Sequence, residues 1–276
     1  MNQAKPKIRL YVPEPYAPGQ QLVLPEGQSH YLRHVMRLKE GDVIAVFNGQ
    51  DGQWLASLSV VAKKSVTIEL VECMAKQKSS PDMWLAFAPI RNKTELVVEK
   101  AVELGVSALL PVFTQHSVVK SINRDKLMAH AMEAAEQSER HDVPSIQEHK
   151  DLSFLLAAWP KDRTLLFADE GGSGESLKKL LPSLPQGKYG LLIGPEGGFS
   201  ADERHMLTLA TQVKAFGLGP RILRADTACV AALACLQAWL GDWEEKPCHP
   251  AFIAGSGATK EGDPANHVRD DKNAYS

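Results

Sequence analysis

The residue types best suited to chemistry cluster in Leu191–Ser200, where an apolar run ends in Gly194, Pro195, Glu196, Gly197 and Gly198. Ser200 follows, with Glu203 three residues on. The apolar run reads as a buried strand, and the Ser/Glu pair as a capping box that opens a helix. At the carboxyl end of a parallel strand, such a loop lets backbone approach a ligand and offers N–H donors with no side chain in the way. It is not a dinucleotide fingerprint, because G-x-G-x-x-G is absent, and no G-K-[S/T] follows to make a P-loop. A plain strand–turn–helix junction is the alternative. The device recurs downstream: an expected strand Lys214–Leu218 leads into Gly219, Pro220, Arg221, Ile222, Leu223, Arg224, Asp226 and then a helix. If the two strands are neighbours, the two Gly-Pro loops sit side by side as a pocket made largely of backbone.

Other segments carry chemistry less directly. Glu133–Arg140 ends a helical pattern with Glu136, Gln137 and Arg140 close together, which is also what a solvated helix end looks like. Gly171–Ser176 suits either an anion-binding nest or a flexible loop. Residues 1–39 hold six Lys and Arg against two Glu, a net of +4, with His30 and His34 beside them. Phosphate affinity comes from local clusters rather than whole-chain charge, so this is a candidate nucleic-acid face as well as a candidate solvated surface. The nine histidines and four cysteines form no metal-ligand spacing, and no metal is expected. Without G-x-S-x-G or a cysteine beside a basic partner, covalent catalysis is not indicated.

The elements that must position these residues fall into two rhythms. From Lys7 to Glu72, β-branched runs at Val43–Phe47, Trp54–Val61 and Ser65–Val71 are separated by turn pairs such as Asn48-Gly49 and Asp51-Gly52. That pattern predicts a small antiparallel barrel. One helix interrupts it, with Ser29 as N-cap and an apolar stripe of Tyr31, Leu32, Val35, Met36 and Leu38 beneath His30, Arg33, His34 and Arg37. After a polar linker, strands at Trp84–Ala88, Ala108–Phe113, Thr164–Ala168, Tyr189–Ile193 and Lys214–Leu218 alternate with helices, as in a mostly parallel sheet covered on both faces. The last helix, Thr227–Leu240, is apolar nearly all round, which places it in the core or against a second subunit. From Glu244 the chain is polar, rich in Gly and Pro, and reads as a mobile tail.

Length and charge bound the class. The chain has 276 residues, enough for about two domains of ordinary size. No apolar stretch approaches the ~18 residues of a membrane span and no secretory leader is legible, so the cytoplasm is the expected compartment. The formal charge of −2 equals that of the tail, four Lys and Arg against six Asp and Glu, and leaves the remainder neutral.

Six segments in register resemble one family. Arg9–Val12, His30–Arg37, Val98–Gly105, Glu136–Arg140, Ile193–Gly198 and Leu218–Arg224 together look like the ribosomal RNA small subunit methyltransferase E family, a SPOUT class that methylates N3 of a uridine in 16S rRNA. The resemblance implies an α/β protein with a C-terminal trefoil-knot domain, preceded by a PUA-like RNA-binding β-barrel. The implied organisation is a barrel over 1–74, a linker over 75–82, a methyltransferase domain over 83–243 and a tail over 244–276. It also implies S-adenosyl-L-methionine as cofactor, 16S rRNA or the small ribosomal subunit as substrate, and a homodimer. Carried over by position, Ile193, Gly194, Pro195, Glu196, Gly197, Gly198, Leu218, Gly219, Ile222 and Leu223 line the cofactor site.

Uridine N3 carries a proton and is a poor nucleophile, so transfer needs a base and a counter-charge for the developing anion. Arg224 is the expected counter-charge, and Glu196 or Asp226 the base. Asp226 stands where the family pattern has Glu. The expected RNA contacts are Arg9, Tyr11, His30, Arg33, His34, Arg37 and Arg140. A SPOUT enzyme with a ribose 2′-O product, and a non-catalytic ribosome-assembly factor, are the competing readings.

Overall fold

The computed structural model describes residues 6, 8–169, 171 and 174–243, which form one compact unit. The expected tail at 244–276 lies outside the described residues.

The first sheet comprises β1 (Arg9–Tyr11), β2 (Gln21–Val23), β3 (Val43–Phe47), β4 (Gln53–Val61) and β5 (Val66–Ala75), in the order β1-β3-β4-β5-β2. All pairs are antiparallel except β1 with β3. The β4–β5 ladder carries three register shifts, irregularities that bend and twist a sheet. Leu32, Ile44, Val46, Leu58, Ile68 and Leu70 fill its concave side.

The interrupting helix differs from expectation. It begins at Glu26 as α1 (Glu26–His30), with Pro25 as its N-cap residue, and continues as a π-helical turn, Tyr31–Val35. Ser29 is therefore not a cap. It is buried inside the helix, where its Oγ donates to Leu24 O (3.0 Å) and accepts from Val66 N (3.0 Å), stitching the helix to the sheet. The wider π turn also breaks the expected stripe: Leu32 is buried, whereas Val35 and Met36 face solvent.

The second sheet is parallel throughout and runs β11-β13-β10-β12-β6-β7-β8. Its main strands are β6 (Met83–Phe87), β7 (Ala108–Phe113), β10 (Arg163–Ala168), β12 (Lys188–Ile193) and β13 (Val213–Gly217). Two-residue strands, β8 (Ser145–Ile146), β9 (Lys150–Asp151) and β11 (Glu175–Ser176), extend the ladders. Alternation along the strands splits the core in two. Leu85, Phe87, Leu109, Leu191 and Ile193 face α2 (Thr94–Glu103), α3 (Arg124–Gln137) and α7 (Ala225–Leu240). Ala86, Leu110, Val112, Phe167 and Leu192 face α4 (Leu152–Ala157) and α6 (Ala201–Leu209). The remaining helix, α5 (Leu177–Leu180), is a single turn.

Of the expected glycine nest, Gly172 and Ser173 lie outside the described residues. Gly174 sits so close to β13 that a Cβ would fall 2.6 Å from Phe216 N, so close strand approach accounts for that glycine.

Candidate active site

The carboxyl ends of β10, β12 and β13 converge on a cleft of about 350 Å³. β12 and β13 are not neighbours, because β10 lies between them. The two Gly-Pro loops therefore flank the end of β10 instead of touching side by side, and Asp169 enters the cleft between them.

The first loop is built for close approach. Gly198 N donates to Pro195 O (2.9 Å), closing a turn directly after β12. A Cβ at Gly194 would lie 2.8 Å from the Phe199 ring, so a side chain there would push into the wall. The capping box forms as read: Ser200 Oγ accepts from Glu203 N and Ser200 N donates to Glu203 Oε2. Glu203 does more than cap, since its Oε1 also accepts from Gln115 N (2.8 Å) in the loop after β7. Beside it, His116 Nδ1 lies 2.9 Å from Gly197 O. Gly197 thus lies against His116 and does not border the cleft.

The other expected lining residues, Ile193, Gly194, Pro195, Glu196, Gly198, Leu218, Gly219, Ile222 and Leu223, do border the cleft. Gly219 has φ +108, a conformation that suits glycine and starts the second loop's turn away from β13. Ile193 is buried at the base, whereas Ile222 is 87% exposed on the rim. Arg224 stands at the mouth as the N-cap residue of α7, exposed and with no side-chain partner among the described residues.

Two residues that sequence reasoning missed complete the surroundings. Asp169 is buried, and its Oδ1 accepts from Arg204 Nη1 (2.6 Å) and Gly171 N (3.0 Å). Lys93, just before α2, places Nζ 2.6 Å from Asp226 Oδ2 in the first turn of α7. That ammonium holds the Asp226 carboxyl below its ordinary pKa.

The expected RNA contacts separate into two groups. His30 and His34 are exposed on the barrel helix, their ring centroids 4.7 Å apart and their planes tilted by 36°, and Arg37, exposed just past the helix end, is in a left-handed conformation. Arg33 donates to Lys63 O, which brings Lys63 and Lys64 of the β4–β5 hairpin to the same face. The second group is turned toward the rest of the protein, with Tyr11 half-buried. Arg9 is 7% exposed and bonds to Gln53 Oε1 and to the carbonyls of Ala135, Glu136 and Arg140. Arg140 is tied to Val102 O, Val106 O and Asp142, and its side chain is 8% exposed. Tyr11 packs on Phe47 with ring centroids 5.6 Å apart. The guanidinium groups of Arg9 and Arg140 are thus committed to acceptors within the protein, and the Tyr11 ring to packing on Phe47.

An RNA methyltransferase domain profile matches residues 77–237, and an RNA methyltransferase PUA domain profile matches residues 24–71. The fold thus belongs to a two-part RNA methyltransferase, an α/β unit preceded in the chain by a PUA-like sheet. Among similar proteins, the ribosomal RNA small subunit methyltransferase E of Rickettsia conorii is 33% identical over 207 residues, 74% of this chain and 84% of its own. The protein of the same name from Bacillus subtilis is 33% identical over 221 residues, 75% and 86% of the two chains. A crystal structure of this enzyme from Neisseria gonorrhoeae bound to S-adenosyl methionine superposes with a TM-score of 0.78 at 29% identity, covering 86% of this chain and 99% of that one. The chain belongs to the ribosomal RNA small subunit methyltransferase E family.

Proposed function

We propose that this chain transfers a methyl group from S-adenosylmethionine to N3 of a uridine in 16S rRNA of the small ribosomal subunit. The observation that carries the reading is the cleft at the ends of β10, β12 and β13, where backbone-rich loops and apolar walls meet two carboxylates, Asp169 and Glu196, and the exposed guanidinium groups of Arg221 and Arg224, which have no side-chain partner among the described residues. Its volume of about 350 Å³ falls within the range of small-molecule sites, roughly 300–1,000 Å³. Leu218 and Leu223 offer apolar surface over the buried Ile193 and Phe216, and the exposed Glu196 carboxylate suits a ligand bearing positive charge. These residues fit S-adenosylmethionine, which when bound supplies an electrophilic methyl group on a sulfonium.

The chain's own residues then handle the nucleophile. Glu196, exposed on the cleft wall, takes the N3 proton, and Arg224 faces the charge that ionisation spreads onto O2 and O4. Asp226 has the weaker claim to be the base: the Lys93 ion pair favours its ionised form and makes it a poor proton acceptor. We assign it to holding Lys93 against the start of α7. His30, Arg33, His34 and Arg37, with Lys63 and Lys64, form the RNA-facing surface of the barrel.

The active form in this reading is a cytoplasmic homodimer. Thr227, Val230, Ala231, Ala234, Cys235, Ala238 and Trp239 lie at helical spacing on the solvent side of α7, with Val230 at 39% and Trp239 at 56% exposure. An apolar face of that length beside the cleft rim suits a second copy of the chain.

The test supplies labelled S-adenosylmethionine with small subunits from a strain lacking the modification and maps the product nucleoside. Label on uridine N3 is expected; label on ribose, or none, overturns the reading. Arg224→Ala should slow single-turnover transfer on the order of 10²–10³-fold while leaving cofactor affinity unchanged.

A further inference from the structure

Arg9 and Glu136 meet at a joint between the two sheets. We infer that they are positioning residues, which fix the RNA-facing helix of the barrel at a set distance and angle from Arg224. The inference rests on the reading of the chain as an RNA methyltransferase.

The joint is built across a long sequence separation. Arg9, on the edge strand β1, donates from Nε to Gln53 Oε1 (2.9 Å), from Nη1 to Ala135 O (3.2 Å) and Glu136 O (3.0 Å), and from Nη2 to Arg140 O (2.8 Å). Its carbon Cζ lies 4.7 Å over the Phe47 ring. The last carbonyls of a helix lack intrahelical donors, so a guanidinium from the first sheet completes the end of α3. Only a planar fork of donors spans three carbonyls in this way; an ammonium is a point. A second tie runs beside it, from Tyr11 N to Glu136 Oε1 (2.9 Å).

Each side of the joint continues to a functional element. On the barrel side, Gln28 Nε2 of α1 donates to Tyr11 O (2.8 Å), so the helix carrying His30 and Arg33 hangs from the same strand. On the other side α3 packs against α2, and Lys126 bonds Glu95 between their first turns. Lys93, at the start of α2, bonds Asp226, two residues past Arg224. Every link from the RNA face to Arg224 is a hydrogen bond, an ion pair or a packed helix pair. Transfer geometry is unforgiving, since a displacement of about 1 Å can cost about 10²-fold in rate. A barrel that binds RNA but swings relative to the cleft would capture substrate without presenting the base.

The experiment compares full-length wild type with Arg9→Gln, Arg9→Lys and Glu136→Ala. It measures RNA affinity as a function of salt, cofactor affinity, single-turnover transfer at saturating RNA and cofactor, and amide hydrogen exchange. Expected are RNA and cofactor affinities within about twofold of wild type and an unchanged salt slope. The transfer rate should fall about tenfold to hundredfold, with faster exchange at Tyr11 and across residues 134–140. Arg9→Lys should fail like Arg9→Gln, because charge without the fork does not hold the joint. Weakened RNA binding with a salt slope reduced by about one would make Arg9 a phosphate contact and overturn the inference, as would a wild-type rate. A variant that fails to fold would lose cofactor binding; Glu136→Ala then carries the test, since it removes one surface-side tie and leaves Arg9 in place. If wild type transfers no methyl group to RNA, the proposed function fails separately. The exchange measurement still reads the joint, and unchanged protection at Tyr11 would overturn it.

Discussion

Burial pushes the Glu136 carboxyl up to about 7, against the opposing pull of the Tyr11 N–H and the nearby Arg9. The folded state therefore holds its proton more tightly than the unfolded chain. Its contribution to stability is complete below the ordinary value of 4.5 and is lost as pH rises through about 7. Discounted for the partial exposure of the group, the loss is on the order of 1–2 kcal/mol between pH 5 and 8. Glu136→Gln mimics the protonated form and keeps the acceptor for Tyr11 N. Denaturant midpoints measured across that range should slope downward in wild type and run nearly flat in the variant; parallel slopes would refute the assignment. The same residues show what a sequence can and cannot disclose. Arg9 and Arg140 were legible as charges, but charge carries no information on burial, and their carbonyl partners come from distant segments. Asp169 and Lys93 had no local signal at all, since their partners Arg204 and Asp226 lie 35 and 133 positions away. Gly194, Gly198 and Gly219 were legible because glycine and proline state a backbone requirement on their own.

At the scale of elements, the long periodic segments stand within a few residues of their expected bounds, because a strand with two buried faces or a helix with one apolar stripe records its own environment. The two-residue strands β8, β9 and β11 were invisible, being defined by a neighbour and not by composition. The barrel helix was misread for a related reason: Pro25 opens it and a π turn ends it, and neither follows from apolar spacing. Its exposed face still gathers the expected basic residues, and the β4–β5 hairpin adds Lys63 and Lys64 to them. Reversing two charges there, Arg33→Glu with Arg37→Glu, should weaken RNA binding and lower the magnitude of its log–log salt slope, each lost phosphate contact removing about 0.7–0.9. Cofactor affinity, which the proposed function assigns to the cleft at the ends of β10, β12 and β13, should stay as it is. Calorimetry for the cofactor and filter binding for the RNA would check both halves, and unchanged RNA affinity would reduce the patch to a solvated helix face.

For the whole molecule, the decisive feature is the outer face of α7. The inner face of the helix is fixed to the rest of the chain by Cys229, Leu233, Leu236 and Gln237, all buried, so the helix does not depend on a partner to fold. Its outer face, with Val230, Cys235 and Trp239, is left to water in a single copy, an arrangement that costs solubility unless something covers it. The position of that face, directly after the loop that carries Ile222 and Arg224, means that a partner seated on it would stand at the cleft mouth. Trp239→Asp should therefore convert the proposed dimer to monomer in sedimentation velocity, leaving the melting temperature of the fold little changed because the buried face is untouched. Cys235 reports the same event chemically: its exposed thiol should react slowly with a maleimide in the wild-type dimer and rapidly in the variant. Cys229, buried and with its thiol pushed up to about 12, should stay unreactive in both. A wild-type protein that sediments as a monomer, with Cys235 fully reactive, would show that α7 faces solvent and that one chain alone completes the cleft.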